Sequence, residues 1–131
     1  MQTIANVLVA ALALLQSGFM VLEMSFWTSP FMRGISGLDM DVAKQTAGVG
    51  ANQGLYNGFL AAGLIWGLCA PGGGLEIKLF FLACMIVAGI FAWPTVDIRI
   101  FYAQACPAML ALLLVWMARQ PTLTAMPPAP I

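Results

Sequence analysis

The chain has 131 residues, five basic and five acidic side chains, a formal net charge of zero, and a composition that is 62% hydrophobic and 8% charged. Soluble domains carry about a quarter charged residues, so this balance, with a mean hydropathy of +0.94, excludes an ordinary water-soluble domain and points to one multi-pass membrane domain. Basic residues spread singly at zero net charge argue against nucleic acid or an anionic lipid surface as the main partner.

In chain order, residues 3–24 form the first apolar run, long enough for one membrane span at about 1.5 Å per residue. No basic residue precedes it and no small-x-small site follows, so it reads as a retained helix rather than a cleaved leader. Gln16, Met20, Glu23 and Trp27 share one of its faces. Glu23 lies near the far end, and Trp27 is placed as an interfacial aromatic. Residues 28–49 turn polar. Pro30, Gly34 and Gly37 mark a loop that holds Arg33, Asp39, Asp41 and Lys44. Within it Ser36 or Asp39 is placed to cap a short amphipathic surface segment over residues 40–47.

The second span covers residues 51–68 and is stopped by Pro71, Gly72, Gly73 and Gly74. The third, residues 75–93, is led in by Glu76 and Lys78 and closed by Trp93 and Pro94. Cys84, Ala88 and Ala92 give it a close-packing seam. A very short turn over residues 95–97 makes it an antiparallel neighbour of the fourth span, residues 98–117. There Pro107 removes the bond to the Ala103 carbonyl and predicts a kink. Residues 120–131 are proline-rich and predict a disordered tail. The expected fold is all-α, with four transmembrane helices in an up-down bundle over residues 1–119 and the surface segment between helices one and two. A count of Lys and Arg on the two sides only weakly favours a cytoplasmic side for the two loops.

The stretch that organises the chain is the second span. Small residues recur every fourth position at Gly50, Gly54, Gly58 and Ala62, a groove that lets another helix backbone approach. Beside it stand Asn52, Gln53, Tyr56 and Asn57, which hydrocarbon tolerates poorly unless they are hydrogen-bonded. Gln16 lies ~10 Å deeper than Glu23 along the first helix, and Gln104 about two turns into the fourth. Apart from Asn6, every uncharged amide in the spans therefore falls in the half facing the loops, while the half facing the termini is apolar. This predicts a one-sided polar cup whose ligand-binding candidates are Gln16, Glu23, Asn52, Gln53, Tyr56, Asn57 and Gln104. The competing expectation is an interhelical hydrogen-bond network, at about 0.6 kcal/mol per bond. Trp27, Trp66, Trp93 and Trp116 read as an aromatic belt, and the Glu76–Lys78 and Asp97–Arg99 pairs as solvated turns. Cys69, Cys84 and Cys106 have neither metal nor disulfide spacing and read as small buried hydrophobes. Histidine is absent, and no nucleophile–base pair, phosphate loop or zinc motif is present, so no cofactor, metal or catalytic residue is expected.

Leu22, Glu23 and Met24, then Phe26-Trp27-Thr28-Ser29-Pro30, then Asn52-Gln53-Gly54-Leu55-Tyr56-Asn57-Gly58 together resemble a known family. It is the group of small bacterial membrane proteins catalogued as Domain of Unknown Function thirteen-oh-four. The similarity extends over roughly residues 3–117 and includes Phe101, Tyr102, Gln104 and Pro107. It implies a four-helix integral protein of the bacterial inner membrane, with no established activity. The family's usual form implies a histidine seven residues before the glutamate. Gln16 stands there instead, which keeps hydrogen bonding but loses titration near neutral pH. Three functions are then open. The leading one is binding or transport of a small polar molecule or lipid headgroup in the loop-side cup. The second is an accessory or assembly subunit of a larger membrane complex or a homo-oligomer. The third, disfavoured, is a membrane-embedded enzyme with Glu23 as acid/base.

Overall fold

The computed structural model describes residues 1–119. The proline-rich tail expected over residues 120–131 lies outside the described residues. All regular structure among the described residues is helical: α1 (Gln2–Ser25), α2 (Pro30–Ser36), α3 (Met40–Gln45), α4 (Ala47–Cys69), α5 (Leu75–Thr95) and α6 (Ile98–Ala118). Three of them, α1, α5 and α6, are long and apolar enough to cross a membrane. The fourth long helix, α4, has the length at 23 residues. Its first half, with Asn52, Gln53 and Asn57, is too polar to join them.

The segment after α1 holds two short helices rather than a loop and one surface segment. Ser29 Oγ accepts from the Met32 amide at 3.2 Å, and Pro30 occupies the first turn, where no N–H is needed. Gly37, at φ 71°, ends α2 in the left-handed conformation that glycine adopts without strain. Asp39 caps α3 by accepting from the Val42 amide at 2.9 Å, whereas the Ser36 hydroxyl donates back to the Met32 carbonyl. Of the two expected caps, Asp39 is the one used.

Early in α6 the backbone widens into a π turn over Phe101–Ala105, where the Cys106 amide reaches the Phe101 carbonyl five residues back. Pro107 follows at once. It has no N–H to offer, and the extra residue of the π turn takes up the break. The disturbance expected at Pro107 therefore appears as a local widening.

The long helices pack in a ring: α1 against α4, α4 against α5, α5 against α6, and α6 against α1. The α1–α4 contact is the most extensive, and glycine sets it. Gly50 lies under the Trp27 ring, Gly54 against Met24 and Glu23, and Gly58 against Met20. Rising numbers on one helix meet falling numbers on the other, so the two run antiparallel. The fourth member of the expected groove, Ala62, is exposed. A row of every fourth residue drifts by about 40° per step on a helix of 3.6 residues per turn, so after three steps it has left the interface. A second bare strip on α4 takes over, with Gly63 against Phe81 and Gly67 against Lys78 on α5. On the far side, Gly89 of α5 meets Ala105 of α6. Between the helices lies a dry core that includes Val9, Leu12, Leu64, Leu82, Met85 and Val115. Trp27 packs on Gly50 just past the end of α1, and Cys69 is exposed rather than buried.

Candidate functional site

Glu23 is half-buried, two residues before the end of α1. The α1–α4 glycine seam brings Asn57 beside it, and Asn57 Nδ2 donates to Glu23 Oε2 at 2.7 Å. A charged acceptor makes this one of the stronger side-chain bonds available. Asn57 itself is only 5% exposed, because it follows Gly50 and Gly54 on the inward face of α4.

Gln16 is the anomaly of the interior. It is 0% exposed, and neither its Nε2 nor its Oε1 has a hydrogen-bond partner. It sits on the α1 face that buries Ala5, Val9, Leu12 and Ala13, two turns below Glu23. Met20 stands between the two, with its sulfur packed toward Gly58. A contact between Asn6 and Lys78 sets the register of α1 against α5. From that level Gln16 stands ~15 Å along α1, and Gly89 ~16 Å along α5. Gly89 touches Ala105, so Gln16 and Gln104 share one level of the interior. Gln104 is satisfied there, since its Nε2 donates to the Met85 carbonyl at 3.1 Å.

The other expected cup residues do not join this group. Asn52 and Gln53 are exposed, and Tyr56 is 57% exposed. At about 100° per residue, Asn52 and Tyr56 point ~160° away from Gly54. They share its depth but face outward. Of the seven candidates, the structure brings only Glu23 and Asn57 into contact, leaves Gln16 buried without a partner two turns deeper on α1, places Gln104 in the interior on α6, and sends three to the surface.

The terminal-side half is not wholly apolar. Lys78, expected to solvate a turn beside Glu76, is 1% exposed. Its Nζ donates to Asn6 Oδ1 of α1 at 3.0 Å, and Gln2 Nε2 donates to the same oxygen at 3.1 Å. Gly67 leaves room for the lysine stem, which explains how a cation enters here. A glycine four residues after Gly63 is the sequence signal that could have shown this strip.

At the loop side, Asp97 and Arg99 do pair, with the nearest contact at 2.8 Å. Arg99 Nη2 also donates to the Ile35 carbonyl at 3.2 Å, which ties α2 to the start of α6. The hydrogen bonds from Arg99 hold the Asp97 carboxyl below its usual range. Among the described residues no group of three or more Cys, Asp or Glu could hold a metal ion.

The chain matches no curated protein and no solved structure. A family model does match, over residues 8–116, and it covers α4, the Glu23–Asn57 pair and the π turn. On that match the chain belongs to the family described as protein of unknown function (DUF1304).

Proposed function

We propose that this is a four-span protein of the bacterial inner membrane, in which α1, α4, α5 and α6 cross up and down. We further propose that it binds a small polar molecule or lipid headgroup at the loop-side end of the α1–α4 seam. Support for the fourth span is the length of α4 and its place between α1 and α5, with Asn57 turned inward onto Glu23. The observation that carries the binding site is the buried, unpaired amide of Gln16. Each buried polar group without a partner costs ~1–3 kcal/mol, and a ligand offering one donor and one acceptor offsets that cost. Glu23 and Asn57 form the mouth, and Gln16 lies beneath. Asn52, Gln53 and Tyr56, on the outer face of α4, are left to meet lipid headgroups.

Native mass spectrometry of the chain released from mild detergent tests this. The wild type is expected to retain a bound small molecule, and Glu23→Gln and Gln16→Leu to lose it while circular dichroism stays helical. A bare chain in all three counts against the proposal. A second function, as a subunit of a larger membrane complex, draws on one feature. The outer face of α5 carries an apolar groove of about 540 Å³ floored by Ala83, Cys84, Val87 and Ala88 between Phe80 and Phe91. A stoichiometric protein partner in the same spectrum favours that function.

A further inference from the structure

We infer that two copies of this chain pair in the membrane through the outer face of α4, where Asn52 meets the partner's Asn52. The inference rests on the proposed crossing of α4 and is independent of any bound ligand. Two faces of α4 are already occupied, one glycine strip packing on α1 and the other on α5. On the side away from both, Asn52, Leu55, Phe59, Ala62, Trp66 and Cys69 are all exposed. Their spacing alternates between three and four, the period at which two helices wind into a left-handed pair. It holds from the second turn of α4 to its last residue.

Polarity separates this face from the other outward faces. Among the long helices, α4 alone exposes amide side chains beyond its first turn, at Asn52 and Gln53. The outer groove of α5, between Phe80 and Phe91, is lined by apolar residues and asks for no hydrogen bond. In a lone copy, Asn52 has only lipid headgroups to meet. A copy inserted the same way brings its own α4 alongside and parallel, and a two-fold axis then sets each residue opposite its counterpart. A carboxamide carries both donor and acceptor, so Asn52 can bond to the partner's Asn52 in both directions. One polar residue in such a seam fixes its register. Gln53, about 100° further round the helix, stays with the headgroups. Ala62, ~15 Å along from Asn52, is the small residue that lets the two backbones approach. Tyr56 stands edge-on to Phe59 and holds that ring on the stripe. A formal net charge of zero leaves no long-range repulsion between copies.

The test uses the full chain in phosphatidylcholine liposomes at low protein-to-lipid ratio, with single cysteines in a background otherwise free of them. One variant keeps Cys69, and the others carry Ala62→Cys, Gln53→Cys or Val87→Cys. Mild oxidation is expected to give disulfide-linked dimers with Cys69 and Ala62→Cys, and monomers with Gln53→Cys and Val87→Cys. Energy transfer between copies labelled at the N-terminus, followed as lipid is added, measures the association constant. Asn52→Leu should lower it roughly three- to thirtyfold, and Asn52→Gln, which keeps an amide, should lower it less. Monomers throughout, linkage at all four positions alike, or linkage through Val87→Cys alone overturns the inference. Unchanged association in Asn52→Leu overturns the role given to Asn52. An impermeant maleimide on Glu76→Cys and Ser36→Cys, in the same liposomes, checks the crossing of α4 separately. If they label from opposite sides, α4 spans and any failure belongs to the pairing alone. If both label from one side, the crossing and the pairing fall together.

Discussion

Asn57 and Asn6 play matching parts at opposite ends of the helical body. Each comes from another helix to meet an ionisable group, Glu23 in one case and Lys78, across the ring, in the other. Lys78 is the more deeply buried, and its oxygen partner is the only bond its ammonium makes to a described residue. Asn6→Leu is therefore expected to destabilise the protein by ~1–3 kcal/mol, the cost of leaving a desolvated donor without its acceptor. Lys78→Met should be tolerated far better, and the double variant should recover most of the loss. Reversible unfolding in detergent, run as a double-mutant cycle, checks this. Asn57→Leu, at the less buried pair, should cost ~1–3 kcal/mol in the same measurement. The polarity and depth of Gln16, Glu23, Asn57 and Gln104 were legible in the sequence, because depth follows from counting along a helix. Direction was not. Asn52 and Tyr56 share the depth of Asn57 but not its face, and only the position of α1 decides which face is inward. Lys78 was illegible for another reason: its partner lies 72 positions away in the chain.

Among the elements, the four long helices were readable from apolar runs, glycine and proline, although α4 begins at Ala47 rather than at residue 51. The structure adds how closely they touch. A Cβ on Gly89 would lie 2.8 Å from the Ala105 Cβ and 3.0 Å from its backbone nitrogen. A Cβ on Gly58 would meet chiefly the Met20 sulfur, at 2.7 Å. A thioether end can swing aside, and a helix backbone cannot. Gly89→Ala should thus lose ~1–3 kcal/mol, and Gly58→Ala distinctly less, by the same unfolding measurement. The π turn gives a second contrast. Pro107→Ala restores an N–H and lets α6 close to ordinary helical pitch, which rotates the preceding turn by about 100° per residue removed. Gln104 should then lose the Met85 carbonyl, seen as a shifted side-chain amide signal in NMR spectra. The sequence pointed to Pro107. It could not show that a widened turn, rather than a bend, absorbs it, because that depends on Ala105 being pinned against Gly89.

At the scale of the molecule, the loop side is fastened by one small clasp in which Asp97 holds Arg99 and Arg99 holds the carbonyl of Ile35. Because Asp97 titrates below the usual carboxylate range, its contribution is complete above that range. It fades only as pH falls through the lowered value. The protection of α2 amides, taken relative to their intrinsic exchange rate at each pH, should stay high at neutral and mildly acidic pH and drop in stronger acid, whereas Arg99→Ala should lower it at every pH. The proposed crossing pattern places exposed Cys69 on the opposite side of the membrane from α2. In a background with Cys84 and Cys106 replaced, an impermeant maleimide should reach Cys69 from one side only. Ser36→Cys with Cys69 also replaced should react from the other. Labelling of both from one side would refute the pattern.

The polarity of α4 also bears on how the protein enters its membrane. A helix with three inward or outward amides, and glycine strips where others carry leucine, gains little from hydrocarbon by itself. Its stability there comes from α1, which fills the first glycine strip and meets Asn57 with Glu23. Biogenesis should therefore treat α1 and α4 as one hairpin. Fused to a glycosylation reporter, α4 alone is expected to slip through the translocon, and α4 preceded by α1 to be retained. Glu23→Leu should weaken that retention.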